Sequence, residues 1–164
     1  MRAQRGVTVV VCLVMMLLVM VLGASAARLG VQDEQSARAE RDREVAFRAA
    51  EEALADAERA IDDGSAVVAH GACEADPAWQ RADLGGEAGG ACTTEYGATT
   101  GAAMATGQGA LPRKKPRYIV ELLACHQPGA DASAPQACYR VTAIGFGPTP
   151  GVEVVLQSVY LPGP

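Results

Sequence analysis

Residues 7–27 read VTVVVCLVMMLLVMVLGASAA, a run without a single charge. At the rise of an α-helix it spans about 30 Å, the thickness of a bilayer's hydrocarbon core, so it predicts a membrane-crossing helix. Arg2 and Arg5 stand before the run, whereas Arg28 is soon followed by Asp33 and Glu34 on its far side. The positive-inside tendency then leaves the amino terminus in the cytoplasm and exports the rest. A cleaved secretory signal is a rival, because it shares the basic start, the apolar core and the small-residue end, here residues 23–27. Such a core usually has only about 7 to 15 residues, and this run continues straight into helix-forming sequence. A retained helix is the simpler reading.

Outward from the run, residues 29–62 contain no proline and only Gly30, and they are rich in Ala, Glu, Arg and Gln. These are helix formers, so the helix is expected to continue. Phe47, Ala50, Leu54, Ala57 and Ile61 recur at spacings of three and four, which predicts one packing stripe for a sheet or another helix. Residues 32–44 are instead charged nearly all round and read as a solvated spacer, with contacts between subunits as the functional alternative. Asp62-Asp63-Gly64-Ser65 supplies a helix stop and a turn. A helix over residues 7–62 would extend about 84 Å, far more than a bilayer needs.

The remaining sequence offers a thin core. Aromatic residues are 4% of the chain and 18 residues are glycine, so Val, Leu, Ile and Ala must fill most of it, and covalent staples are expected. Five cysteines are present, with Cys12 inside the apolar run. The other four, Cys73, Cys92, Cys125 and Cys138, suit two disulfides in an oxidising compartment such as the periplasm or cell surface. Residues 65–116 read as loop, closed by a pairing of Cys73 with Cys92. Three strand candidates follow at residues 117–125, 138–146 and 151–160, predicting an antiparallel meander with one face on the helix. A Cys125–Cys138 bond would cross the mouth of the first hairpin. The fold class expected is thus α+β, one long helix packed on a small antiparallel sheet.

Several stretches resemble type IV pilins, and minor pilins of the PilX type in particular. MRAQRG before Val7 is similar to a prepilin leader, RDREVAFRAAEEALADAE at residues 41–58 to the helix signature, and RYIVELL, CYRVTAIGFG and VVLQSVY to the carboxyl-terminal sheet. The resemblance leaves about residues 63–116 unmatched, where individual binding specificity could reside. It implies a leader at 1–6 cut between Gly6 and Val7 by a prepilin peptidase, with methylation of the new terminus. A membrane and fibre-core helix at 7–27, an amphipathic continuation at 28–63, a variable region at 64–116 and a sheet at 117–164 would follow. It also implies residence in the inner membrane, then in a surface pilus, with other minor pilins, a major pilin and a tip adhesin as partners. Most pilins carry glutamate at the fifth mature position, which here is Val11. A buried carboxylate is tolerated in lipid only with a partner, so its loss suits a subunit at or near the distal tip, with nothing above it. A type II secretion pseudopilin shares this architecture, and gene neighbourhood separates the two; an exported enzyme or an anchored ligand-binding domain is the reading from another class.

Other chemistry finds little support in the sequence. The net charge of -5 does not favour nonspecific nucleic-acid binding. His70 with Cys73, and Cys125 with His126, lack the paired spacing of a zinc site, and two loop histidines give acid–base catalysis little material. Glu51–Glu52 and Asp62–Asp63 are neighbours that point in different directions on a helix. Arg113-Lys114-Lys115-Pro116-Arg117 reads as a solvated cluster, with an anionic partner as the alternative. The loop around residues 128–131 has too few carboxylates for calcium. No metal, no cofactor and no catalytic residue is expected.

Overall fold

The computed structural model describes residues 5–69, 73, 77–80, 82–86, 92–126 and 136–163, except that side chains at 5–7 and 26–31 lie outside the description. Helix α1 runs Arg5–Asp62, followed by a 3-10 turn at Ala78–Gln80 and by strands β1 (Thr94–Glu95), β2 (Arg117–Cys125), β3 (Gln136–Phe146) and β4 (Glu153–Tyr160). The chain divides into two units, residues 1–40 and residues 41–164.

In the first unit, α1 is held by its own backbone ladder and by local polar contacts. Arg38 pairs with Glu34 one turn before it, and the Ser25 hydroxyl donates back to the Val21 carbonyl at 2.8 Å. Both contacts follow from spacing of four along a helix.

In the second unit, the four strands lie in the order β1-β2-β3-β4, all antiparallel. The expected meander is present, and β1 adds a two-residue edge that the loop reading of residues 65–116 did not contain. Tyr118 and Val120 of β2 and Val141 and Ala143 of β3 face Ala53, Ala57 and Ile61 of α1, with Tyr96 closing the cluster. Period-two alternation puts these strand residues on one face, and period 3.6 puts the helix residues on one stripe.

That stripe is narrower in volume than expected. Its fully covered members are Ala46, Ala50, Ala53, Ala57 and Ala60, with Ala49 and Ile61 nearly so, whereas Phe47 is 37% exposed and Leu54 only partly covered. The physical reason is close approach of backbone to backbone. A Cβ placed on Gly145 of β3 would stand 2.0 Å from the Ala46 carbonyl oxygen and 2.5 Å from the Ala50 nitrogen. Only alanine fits on the facing helix surface, so the larger Phe47 and Leu54 are displaced to its flank.

On the opposite face of the sheet, Ile119, Thr142, Ile144 and Phe146 are buried as well. Parts of the 64–116 region cover them: Arg113 and Lys114 lie 5.0 and 4.2 Å from the Phe146 ring centre, and the Ala78 amide donates to Glu121. The sheet is therefore covered on both sides over Tyr118–Glu121 of β2 and Val141–Phe146 of β3, while Leu122 and the hairpin end are exposed. β4 alternates half-buried and exposed along its whole length.

Candidate functional site

The first candidate surface is the apolar helix itself. Residues Thr8–Ser25 are long and apolar enough to cross a membrane, and none of that window is covered by the rest of the chain. Val11 is 50% exposed and Met20 71%, within an unbroken series of exposed Val, Leu and Met. Such a series cannot remain in water, since each fully solvated aliphatic side chain forgoes about 1.5 to 3 kcal/mol of burial. Lipid or other apolar helices must cover it. Cys12 sits in this surface as a free thiol. Gly6 and Val7 lie within α1, and their side chains are outside the described residues.

The second unit carries polar contacts that fix its loops and leave little for catalysis. Asp56 is wholly buried, and its carboxylate accepts from the Gly97 amide at 2.9 Å and from the Thr100 hydroxyl, with Arg59 at 3.5 Å. A buried charge needs such partners, and here they tie the 97–100 turn to the helix. Thr99 lies 3.3 Å from the Tyr118 hydroxyl in the same turn, and burial pushes the Tyr118 phenol above its ordinary value. Arg140 forks across the ladder to both oxygens of Glu121, at 2.9 and 3.0 Å. Glu121 spends its remaining capacity on the Ala78 amide at 2.6 Å. Glu121 also lines a cavity of about 320 Å³ with Ala78, Leu123 and Arg140, and among the described residues no histidine lines it.

The four outer cysteines form two disulfides, Cys73–Cys92 and Cys125–Cys138. The second starts at the hairpin mouth and crosses it diagonally, because β3 begins at Gln136, opposite Cys125, while Cys138 stands opposite Leu123. It is a diagonal bond inside the ladder. The basic cluster is consumed within the unit: Arg113 pairs with Glu153 at 2.7 Å, Lys114 donates to the Gly85 carbonyl, and Lys115 and Arg117 both reach Glu95 at 3.6 Å. Arg117 also bonds Thr93 through its side-chain and main-chain oxygens. Sequence spacing could not show these distant acids, which is why the cluster looked available.

Among the described residues no group of three His, Cys, Asp or Glu converges as a metal site. His126 is exposed just past β2, while His70 and residues 128–131 lie outside the described residues. An open cleft of about 470 Å³ lies between Glu44, Arg48 and Glu52 on α1 and Met104, Leu111 and Pro112. Its walls are mostly apolar, and no nucleophile faces a base across it. A second surface, which sequence reasoning did not single out, is the outer edge of β4, where Val155 and Val159 are 48% and 62% exposed. Its signal was present in the alternation of residues 153–160 and in the expected meander, which ends on this strand; the exposure of its two valines was not.

An uncovered apolar helix ahead of an alanine-striped helix and a four-stranded meander is what the comparison with known families then explains. The family described as Type IV pilus assembly protein PilX C-term matches residues 32–162, and the one described as PilX N-terminal matches residues 5–55. The chain belongs to the PilX family. No curated relative and no solved structure matches it. PilX proteins are structural components of the type IV pilus, so this chain is a type IV pilus-associated pilin, and its single apolar helix fits a membrane-anchored one. Membership implies interaction with other pilus components.

Proposed function

We propose that the chain is a minor pilin that helps initiate pilus assembly at or near the distal tip and supports adhesion there. The observation that carries this reading is the uncovered apolar surface of Thr8–Ser25, joined in one helix to a folded outer unit. A helix of this kind leaves lipid only where sister helices offer an equally apolar surround. Processing by a prepilin peptidase between Gly6 and Val7 keeps that surface in the mature subunit, and methylation of Val7 leaves the terminal amine charged with one N–H donor fewer.

Val11 supports the tip position. An in-membrane carboxylate costs about 2.5 to 3.5 kcal/mol on insertion scales unless a neighbour's terminus compensates it. A subunit with no neighbour above it does better with valine. The acidic balance of the chain supports a protein partner and not nucleic acid. The region 64–116, unlike the sheet and helix, has no periodic pattern to preserve, so its sequence is the least constrained part of the chain and suits variation toward an adhesin.

Amino-terminal sequencing of the mature protein tests the processing step: a methylated Val7 is expected, and a start near Arg28 would mean ordinary secretion and end the proposal. The tip position has its own test. Val11→Glu should lower surface piliation or move the subunit into the shaft, and unchanged assembly and position would remove the argument from Val11.

A further inference from the structure

β4 is the last strand in the sheet order, and its outer side has no strand beside it. Among the described residues no backbone group outside β3 bonds to residues 153–160. Sheet edges are usually protected by proline, by lysine, by a bulge or by shortness. β4 has eight residues, EVVLQSVY, with none of these devices. It therefore presents a row of open main-chain donors and acceptors together with two exposed valines.

We propose that this edge pairs with the β4 of a second copy of the chain, antiparallel and centred on Gln157. Across an antiparallel pair, residues directly opposite share a face, so a two-fold pairing must be centred on a residue and not between two. Centring on Gln157 sets Val155 opposite Val159 twice, and Gln157 opposite itself. On the inner face it sets Leu156 opposite Ser158 and Val154 opposite Tyr160. A centre at Leu156 would set Val155 against Gln157, and one at Ser158 would set Gln157 against Val159. A centre at Val155 or at Val159 would oppose one valine to itself and leave the other without an aliphatic partner on β4; the Gln157 centre pairs both exposed valines, an arrangement favoured across strands.

Charge decides the direction. Glu153 is the one ionisable acid on β4, and it keeps its own cation, Arg113, at 2.7 Å. In-register parallel pairing would bring the two Glu153 carboxylates side by side, which is unfavourable. The antiparallel pairing separates them by the length of the strand and sets each opposite Leu161, itself 37% exposed. The edge is thus complementary to its own copy in hydrogen bonding, in apolar pattern and in charge. Nothing in this inference rests on the position of the subunit in a pilus.

The experiment uses the full chain in detergent micelles, purified without other pilus components, with Cys12→Ser removing the free thiol. Gln157→Cys is then oxidised mildly and read on a non-reducing gel. Opposed residues in an antiparallel pair have Cα atoms about 4.5 to 5.5 Å apart, within disulfide reach. A covalent dimer is expected in clear excess over Glu51→Cys, a control on the exposed helix surface. Val159→Lys, added to Gln157→Cys, removes both Val155–Val159 pairs and should lower the dimer roughly tenfold. Its side chain is exposed, so the thermal melt should not move; if it does, Val159→Thr, which keeps a strand-favouring shape, takes its place with the same expected direction. A yield at 157 no greater than at 51, or one indifferent to the change at 159, overturns the proposal.

Discussion

Gly145 is the residue on which the helix–sheet packing turns. Because its added Cβ would meet main-chain atoms of Ala46 and Ala50, no side chain can move aside to admit it. Gly145→Ala should cost about 3 kcal/mol or more in denaturant unfolding of the outer unit. Gly64, with φ of +69° and open space around it, is the comparison: Gly64→Ala should cost only about 1 kcal/mol, from backbone conformation alone. Asp56 behaves differently from a surface acid because its partners are a main-chain amide and a hydroxyl in a distant turn. Asp56→Ala should destabilise by about 2 kcal/mol and speed hydrogen exchange at the Gly97 amide, while Asp56→Asn should keep part of the protection. Tyr118 gives a pH signature. Its pKa is raised above 10.0 chiefly by burial, an effect partly offset by the Thr99 hydrogen bond and then reinforced by the nearby Asp56 charge. The folded state therefore holds the phenolic proton more tightly, so this stability is complete below about pH 10 and is lost as pH rises through the raised value. Tyr160, hydrogen-bonded to Asp62 at 2.8 Å, shifts the same way. Tyr118→Phe should move alkaline unfolding, followed by circular dichroism, to higher pH.

At the scale of elements, the packed part of α1 and the sheet choose each other by volume. Alanines at 46, 50, 53, 57 and 60 let the helix approach β3 closely, and Phe47 and Leu54 border that contact without entering it. Ala50→Leu should therefore destabilise by about 3 kcal/mol, whereas Phe47→Ser should change stability by less than about 1 kcal/mol. Thermal melts of the two variants side by side check the displaced stripe. This displacement could not be read from the sequence. The 3-4 spacing of Phe47, Ala50, Leu54, Ala57 and Ile61 is real, yet periodicity weighs a phenylalanine above an alanine, and the tight approach at Gly145 reverses that preference. The strands were more legible, because their period-two alternation and β-forming composition are local properties. β3 and β4 differ from expectation by only two residues at their starts. The two-residue β1 carried no such pattern, and it exists because β2 offers an edge at Tyr118 and Arg117.

For the molecule as a whole, the two units divide the physics. The first contains the apolar, uncovered stretch Thr8–Ser25, while the second has its own core, two disulfides and satisfied buried acids. A chain beginning at Arg28 should stay in solution without detergent and melt at the same temperature as the outer unit of the full chain, since Thr8–Ser25 contributes no buried surface to it. Sedimentation and a thermal melt of the two forms measure this. Loss of cooperativity on truncation would show that the core depends on the first helix. The basic cluster at residues 113–117 belongs to this scale too: it was visible in the sequence as unassigned charge, and only the folded unit brings Glu153, Glu95, Gly85 and Phe146 to it.

The sequence by itself determined what depends on neighbours along the chain. A charge-free run sets a helix long and apolar enough to cross a membrane, spacing of three and four sets its continuation, alternation sets the strands, and the helix and strand motifs resemble the pilin family. Tertiary structure alone decided what depends on distance through space. It selected alanine over phenylalanine at the helix–sheet contact, set the second disulfide diagonally across its ladder, gave the basic cluster its acids and, among the described residues, exposed Val155 and Val159 on β4. The reason is that burial and charge pairing are set by which surfaces meet, and residues such as Ala46 and Gly145, about a hundred positions apart, meet only after the sheet has formed.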